Sequence, residues 1–186
     1  MQYKLKKIRS DASFREFFRL KKGNKTSIIV TARKERFRNL IAYSTINKFL
    51  RAKGIHTPKT ISQHFNEGIM EIEDFGDNTL LRSIRKSKNI FPFYKKSINV
   101  ILKLQKIKPI NKIKIKSNRN LKLNNYNRKN LHKESDLFLN WYLAGILGNR
   151  KSKKYKTKIK KELNKLYQQI YFKNKFIVHR DFHVSN

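Results

Sequence analysis

Around Gly76 the sequence changes its period from that of strands to that of helices, and this switch restricts the fold more than any other feature. Before it, residues 3–8 alternate weakly, and "SFREFFRL" (13–20) and "TSIIVTA" (26–32) are the aromatic and β-branched runs that strands prefer. "KKGNK" between them is a turn signal, so the three segments predict an antiparallel meander. Over 35–53 the apolar positions Leu40, Ile41, Ile46, Phe49 and Leu50 fit a helical stripe, with Gly54 placed as its C-terminal stop. Pro58 leads into "KTISQHF", a turn at Asn66, Glu67 and Gly68, and "IMEIEDFG", which together read as a second hairpin.

Beyond Gly76, "DNTLLRSIRK" and "FPFYKKSINVILKLQKI" are helical in period, the second with Pro92 near its start. Residues 108–130 are polar, Asn/Lys-rich and poorly periodic, and read as an excursion or partly ordered loop. Two helices are expected next, over 135–148 with Ser135 as N-cap and over 153–171. "KFIV" reads as a short buried strand feeding the terminal loop. The order is a small sheet carrying one helix, a hinge near residue 74, and a mostly helical remainder. It predicts an α+β protein of two lobes, 1–75 and 76–186, with a cleft between them of the kind where ligands bind.

Composition narrows the classes. The absence of Cys excludes disulfides, thiolate metal sites and a Cys nucleophile, and fits the reducing cytoplasm, where the chain is expected to act. The start "MQYKLKKIRSDAS" has no apolar signal-peptide core, and "LFLNWYLAGILGN" is shorter than the about 20 residues a membrane-spanning helix needs, so no membrane insertion is expected. The formal charge is +34, from 46 Lys+Arg against 12 Asp+Glu. One reading is a non-catalytic basic protein that binds RNA or an anionic membrane surface. The other is compositional: Lys, Asn and Ile are abundant together and share A/T-rich codons, whereas selection for phosphate binding would raise Lys and Arg alone. The lysines are spread through every segment with no Arg-rich arm or zinc finger, so no specific nucleic-acid partner is expected. Oligomeric state leaves no mark in the sequence.

Three segments carry chemistry. "HRDFHVSN" at the end of the chain matches H-x-D-x-x-x-x-N, the catalytic loop of the kinase superfamily. Phosphoryl transfer needs a carboxylate to orient and deprotonate the attacking hydroxyl, here Asp181, and a neutral oxygen ligand for magnesium, here Asn186. The competing reading is a polar surface turn with an unrelated Asn nearby. "SDASFREFFRL" lies on the first strand pair, where small residues let backbone N–H groups approach phosphate oxygens, although a plain hairpin turn has the same composition. "MEIEDFGDNTL" lies between sheet and helices, where a kinase hinge offers backbone groups to adenine; the alternative is a solvated acidic linker.

Together "SDASFREFFRL", "IEDFGD", "FLNWYL" and "IVHRDFHVSN" resemble, in order and spacing, the aminoglycoside phosphotransferase and choline kinase-like family, in particular its bacterial branch with the anomeric cell-wall sugar kinases. The resemblance covers nearly the whole chain and implies a protein-kinase-like two-lobe fold, with an N-lobe antiparallel sheet bearing one helix and a helical, incomplete C-lobe. It implies ATP and Mg2+ as cofactors and a sugar or amino sugar as acceptor. It implies Asp181 as catalytic base, Asn186 as metal ligand, phosphate contacts from Asp11, Ala12, Ser13 and Phe14, and adenine contacts from Glu73, Asp74 and Phe75. It implies loop-bracing roles for His179, Arg180 and His183, the last being a mark of small-molecule kinases in that family. Trp141 and Tyr142 are candidates for the acceptor pocket, with packing between helices the preferred reading.

Two features depart from the family pattern. Lys34 is the nearest candidate for the phosphate-binding lysine, but no acidic partner lies between Arg36 and Gly54. Family members also continue past the loop into a strand pair and a second metal-binding Asp, whereas this sequence has no residue after Asn186. The expectation is a C-terminally truncated chain, inactive or nearly so.

Overall fold

The computed structural model describes residues 3–8, 14–33, 38–115 and 119–184. Five strands form one antiparallel sheet in the order β1-β2-β3-β5-β4, and α1, of residues Arg38–Ala52, packs on it. The strands are β1 (Tyr3–Ile8), β2 (Arg15–Lys22), β3 (Lys25–Ala32), β4 (Thr60–His64) and β5 (Ile69–Glu73). The expected meander is β1-β2-β3, and β2 and β3 are joined by the two residues Gly23 and Asn24, with Gly23 at φ 58°. A glycine at the first central position is one of the solutions for a two-residue hairpin turn. The second hairpin, β4-β5, adds to the meander through β5 against β3, which buries β3 in the middle of the sheet.

Register explains the core. Phe17, Val30 and Met70 are cross-strand neighbours, as are Arg19, Ile28 and Ile72, and both rows point to one face because side chains alternate along a strand. Leu40 of α1 closes that face, and Val30, Leu40 and Met70 lose all contact with solvent. Gly68 sits where β5 begins, at φ 70°, and its carbonyl accepts the Ala32 N–H at 2.8 Å. A Cβ there would lie 2.3 Å from the Ala32 carbonyl oxygen, so the hairpin requires glycine.

The buried side of α1 differs from the expected stripe. Leu40 is buried, but the others are Ser44, Thr45 and Asn47, and Ile46 faces solvent. Ser44 and Asn47 are tolerated there because they are paired. Gln63 donates to the Ser44 hydroxyl at 2.9 Å, the Asn47 amide donates to the Pro58 carbonyl at 2.7 Å, and the Thr57 hydroxyl donates to the Asn47 carbonyl at 3.2 Å. Gly54 ends the helix as expected, at φ 76°, with its N–H bonded to the Arg51 carbonyl.

The chain continues into α2 (Leu80–Lys86), capped by Thr79, and α3 (Phe91–Gln105), with Pro92 in its first turn. The described residues within 108–130 carry more regular structure than their composition suggests. Lys112–Lys114 (β6) and Asn120–Lys122 (β7) pair as a small hairpin, with Ile113 buried and β6 against α1. Three-residue strands are too short to show a period.

The molecule divides into two compact units, residues 1–123 with 176–186, and residues 124–175. The second contains α4 (Arg128–Leu137), a π-helical turn Phe138–Tyr142, and α5 (Leu143–Gln169) with a break at Gly148. Its N-cap is Asn127, in a reciprocal capping box with Asn130, rather than Ser135. The first two turns of α4 carry a single apolar residue, Leu131, which is too little for periodicity to reveal them. The expected stop at 148 corresponds to the Gly148 break, and the helix resumes directly after it. "KFIV" forms no strand: Phe176 and Val178 are exposed in an irregular segment. None of the helices among the described residues is long and apolar enough to cross a membrane.

Candidate functional site

Of the three sequence segments with chemical potential, 70–80 is described throughout, 179–186 up to Val184, and 10–20 from Phe14 onward, and all belong to the first compact unit. Asp11, Ala12, Ser13, Lys34 and Asn186 lie outside the described residues. Phe14, directly before β2, is exposed.

The hinge segment begins at the end of β5. Glu73 is tied on both its backbone and side chain to Lys59. Its N–H donates to the Lys59 carbonyl at 2.8 Å, and the Lys59 N–H donates to its carboxylate at 3.0 Å. Asp74, two residues beyond Ile72, continues the row on the core face and meets Arg19 there. Arg19 Nη2 donates to Asp74 Oδ1 at 3.0 Å, Nε lies 2.6 Å from Oδ2, and Nη1 donates to both carboxylate oxygens of Asp77 at 2.9 and 2.8 Å. Asp74 Oδ1 also accepts the Gly76 N–H at 2.8 Å, with Gly76 at φ 75°. Phe75 turns the other way and stacks on His56, ring centroids 4.9 Å apart and 10° from parallel.

These contacts set the electrostatics. Burial works against charge on Asp74, but hydrogen bonds from Arg19, the Gly76 N–H and Thr26 outweigh it and hold the carboxyl below its ordinary range. Asp77 is lowered chiefly by the Arg19 guanidinium, and Arg19 is in turn more firmly protonated through Asp77 and then Asp74. Arg19 is the residue that sequence reading missed. The signal was available in its parity: it shares the inward face with Phe17, where a lone cation requires a partner.

The HRD segment is joined to the residues that follow the hinge. The Val184 carbonyl accepts the Leu81 N–H at 3.0 Å, satisfying one of the first-turn donors of α2 that have no partner within the helix. Within the segment, His179 and Phe182 meet edge to face at 5.6 Å, and His183 Nε2 lies 3.4 Å from Asp181 Oδ1. Arg180 takes φ 71°, a conformation uncommon outside glycine and concentrated at functional sites and tight turns. The Asp181 side chain is 75% exposed, so its carboxylate is accessible to an incoming ligand.

In the second unit Trp141 is 78% exposed and Tyr142 stacks on Phe138, so Trp141 does not pack between helices as the sequence reading preferred. Neither lines the open groove of about 440 Å³ in that unit, which is bordered by Asp136, Asn140, Lys156, Lys160 and Lys161 with Leu139 at its base.

No protein-family model matches the sequence. Two curated relatives are similar to it over 177 residues each: the N-acetylmuramate/N-acetylglucosamine kinase of Pseudomonas aeruginosa, 23% identical, and the protein of the same name from Pseudomonas putida, 26% identical. Each match covers 95% of this chain and 49% of the relative, so the chain spans about half the length of the curated relatives it matches.

Proposed function

We propose that this chain is the nucleotide-binding and catalytic-loop part of a small-molecule kinase that transfers a phosphoryl group from ATP to a hydroxyl of an amino sugar. What carries the reading is the match of 95% of the chain to two proteins named N-acetylmuramate/N-acetylglucosamine kinase. The bond from Leu81 to Val184 supports it, because it ties the HRD segment to the residues that follow the acidic hinge.

In this reading residues 1–75 and 76–186 act as the two lobes of a protein-kinase-like fold in the aminoglycoside phosphotransferase and choline kinase-like family. The backbone of Glu73, Asp74 and Phe75 meets the adenine, and Asp11, Ala12, Ser13 and Phe14, with Lys34, meet the phosphates. Asp181 orients the acceptor hydroxyl and takes its proton as the oxygen bonds to the transferred phosphorus and ADP departs. His179, Arg180 and His183 hold Asp181 in place, the last through its contact with the carboxylate.

Among the described residues no group of three His, Asp or Glu is placed to cage a metal. Magnesium delivered with nucleotide phosphates takes only one or two protein oxygens. Asn186 is the assigned ligand, and bound magnesium would neutralise phosphate charge.

Calorimetric titration of the chain with magnesium and ADP tests the nucleotide half of the proposal, and saturable, magnesium-dependent binding is expected. For the transfer half, the chain is fused to the part of the Pseudomonas aeruginosa relative that its match leaves uncovered. Phosphorylation of N-acetylmuramate or N-acetylglucosamine is expected, and Asp181→Asn should cut kcat by about 10²-fold or more. Absence of nucleotide binding and of transfer would remove the reading.

A further inference from the structure

Arg19 occupies an unusual place for a cation. It stands on the apolar face of the sheet in the row of Ile28 and Ile72, with its side chain 22% exposed, and it faces an Asp74 side chain only 4% exposed. Its planar guanidinium serves two carboxylates three residues apart, hydrogen-bonding Asp74 through Nη2, with Nε in ion-pair contact but without a hydrogen bond of its own, and Asp77 through Nη1. A fork of fixed geometry that engages both ends of a four-residue turn admits one arrangement of that turn. The Asp74 oxygen that receives Nη2 also receives the Gly76 N–H, so side chain and backbone are fixed by one carboxylate. From the opposite flank the Phe75 ring is stacked on His56, whose neighbour Thr57 is bonded through its carbonyl to Arg51 of α1. Asp77 in turn accepts from Arg82 through its carbonyl, which carries the restraint into α2.

We propose that Arg19 is a positioning residue for nucleotide binding, presetting the backbone of residues 74–77 so that its groups are aimed at the base before the ligand arrives. The inference rests on the kinase reading above and adds to it the residue that shapes the base site. β2 begins directly after the candidate phosphate-binding residues, so Arg19 couples the strand that delivers them to the segment that receives the base. A preset site binds more tightly because the ordering cost is met in folding rather than in binding. The restraint acts at the base end of the nucleotide, so its removal weakens ligands that carry a base and spares those made only of phosphate.

The test compares the native chain with Arg19→Lys, which keeps the charge and loses the fork, and with Asp77→Asn. The latter removes an exposed arm (the Asp77 side chain is 67% exposed) and leaves the buried Arg19–Asp74 pair in place. Three quantities are read for each: exchange of the Gly76 amide in the ligand-free protein, affinity for magnesium-ADP, and affinity for magnesium-pyrophosphate. In folded Arg19→Lys, Gly76 exchange should accelerate about tenfold, ADP should bind about tenfold more weakly, and pyrophosphate should change less than about twofold. Asp77→Asn should move the same two quantities in the same direction by less. Unchanged Gly76 exchange in both variants overturns the clamp whether or not nucleotide binds. An equal loss of ADP and pyrophosphate affinity also overturns it, since it would show a general loss of structure. A native chain that binds neither ligand removes the kinase reading, and the assigned role of Arg19 falls with it even if Gly76 exchange responds.

Discussion

In the five-stranded sheet and α1, Val30, Leu40 and Met70 are shut away from solvent, whereas in residues 124–175 Leu139 is the one apolar side chain buried to a comparable degree among the described residues. Trp141, Ile146, Tyr155 and Leu166 in that second unit face outward, as do Phe91, Ile98 and Leu102 of α3. The contrast follows from how each kind of element satisfies its backbone. A strand needs a partner strand for its hydrogen bonds, so forming the sheet brings distant apolar rows together and closes a core. A helix bonds to itself, and can be laid down with its apolar residues still in water. The sheet half is therefore expected to hold the greater stability, and the helical unit to open at lower free energy.

The largest expected effect tests that contrast directly. Leu40→Ala should lower the unfolding free energy by about 2–5 kcal/mol in urea denaturation, while Ile146→Ala on exposed α5 should stay within about 0.5 kcal/mol. Similar losses at both sites would break the comparison. Next comes a pair of glycines. Gly68→Ala incurs the left-handed conformation, roughly 1–3 kcal/mol, together with the collision against the Ala32 carbonyl. Gly148→Ala has the same sign of φ but nothing within 4 Å of the added carbon, so thermal melts should show the smaller loss there.

Within the helical unit, Asn127→Ala removes the capping box and should cost about 1 kcal/mol, seen as reduced helix signal in far-ultraviolet circular dichroism. The gentlest probe is acid. Asp74 and Asp77 both have folded-state pKa values below those of the unfolded chain, so at low pH the unfolded state binds more protons. Their contribution is fully present above about pH 4, the unfolded Asp value, and is lost as pH falls through the folded values. Melting temperatures of Asp74→Asn should therefore fall less steeply with acid than those of the native chain. An identical acid slope would remove Asp74 from the acid-dependent stability of the sheet half.

Local signals were legible wherever one residue type had one physical use. Gly23 at a two-residue turn, Gly54 ending α1 and Pro92 opening α3 needed no knowledge of the rest of the chain. Asn127 escaped notice because an N-cap is recognised by the apolar stripe that follows it, and α4 begins with none. β6 and β7 were hidden by their length, and "KFIV" misled because an apolar run shows hydrophobicity without saying whether a neighbour exists to cover it. At the candidate site, Glu73, Asp74, Phe75 and the HRD segment stood out as motifs, whereas Arg19 did not, because its partners are 55 and 58 positions away.

By itself the sequence determined the kinds and order of the elements in the sheet half, the turns that join them and the parity that puts Phe17, Val30 and Met70 on one face. All of these depend on backbone conformations and periods that neighbouring residues impose. Tertiary structure alone decided that β5 enters between β3 and β4, that α1 buries Ser44 and Asn47, and that one guanidinium holds Asp74 and Asp77 together. Those outcomes depend on which distant groups arrive to satisfy a buried donor, acceptor or charge, and local sequence carries no record of that arrival.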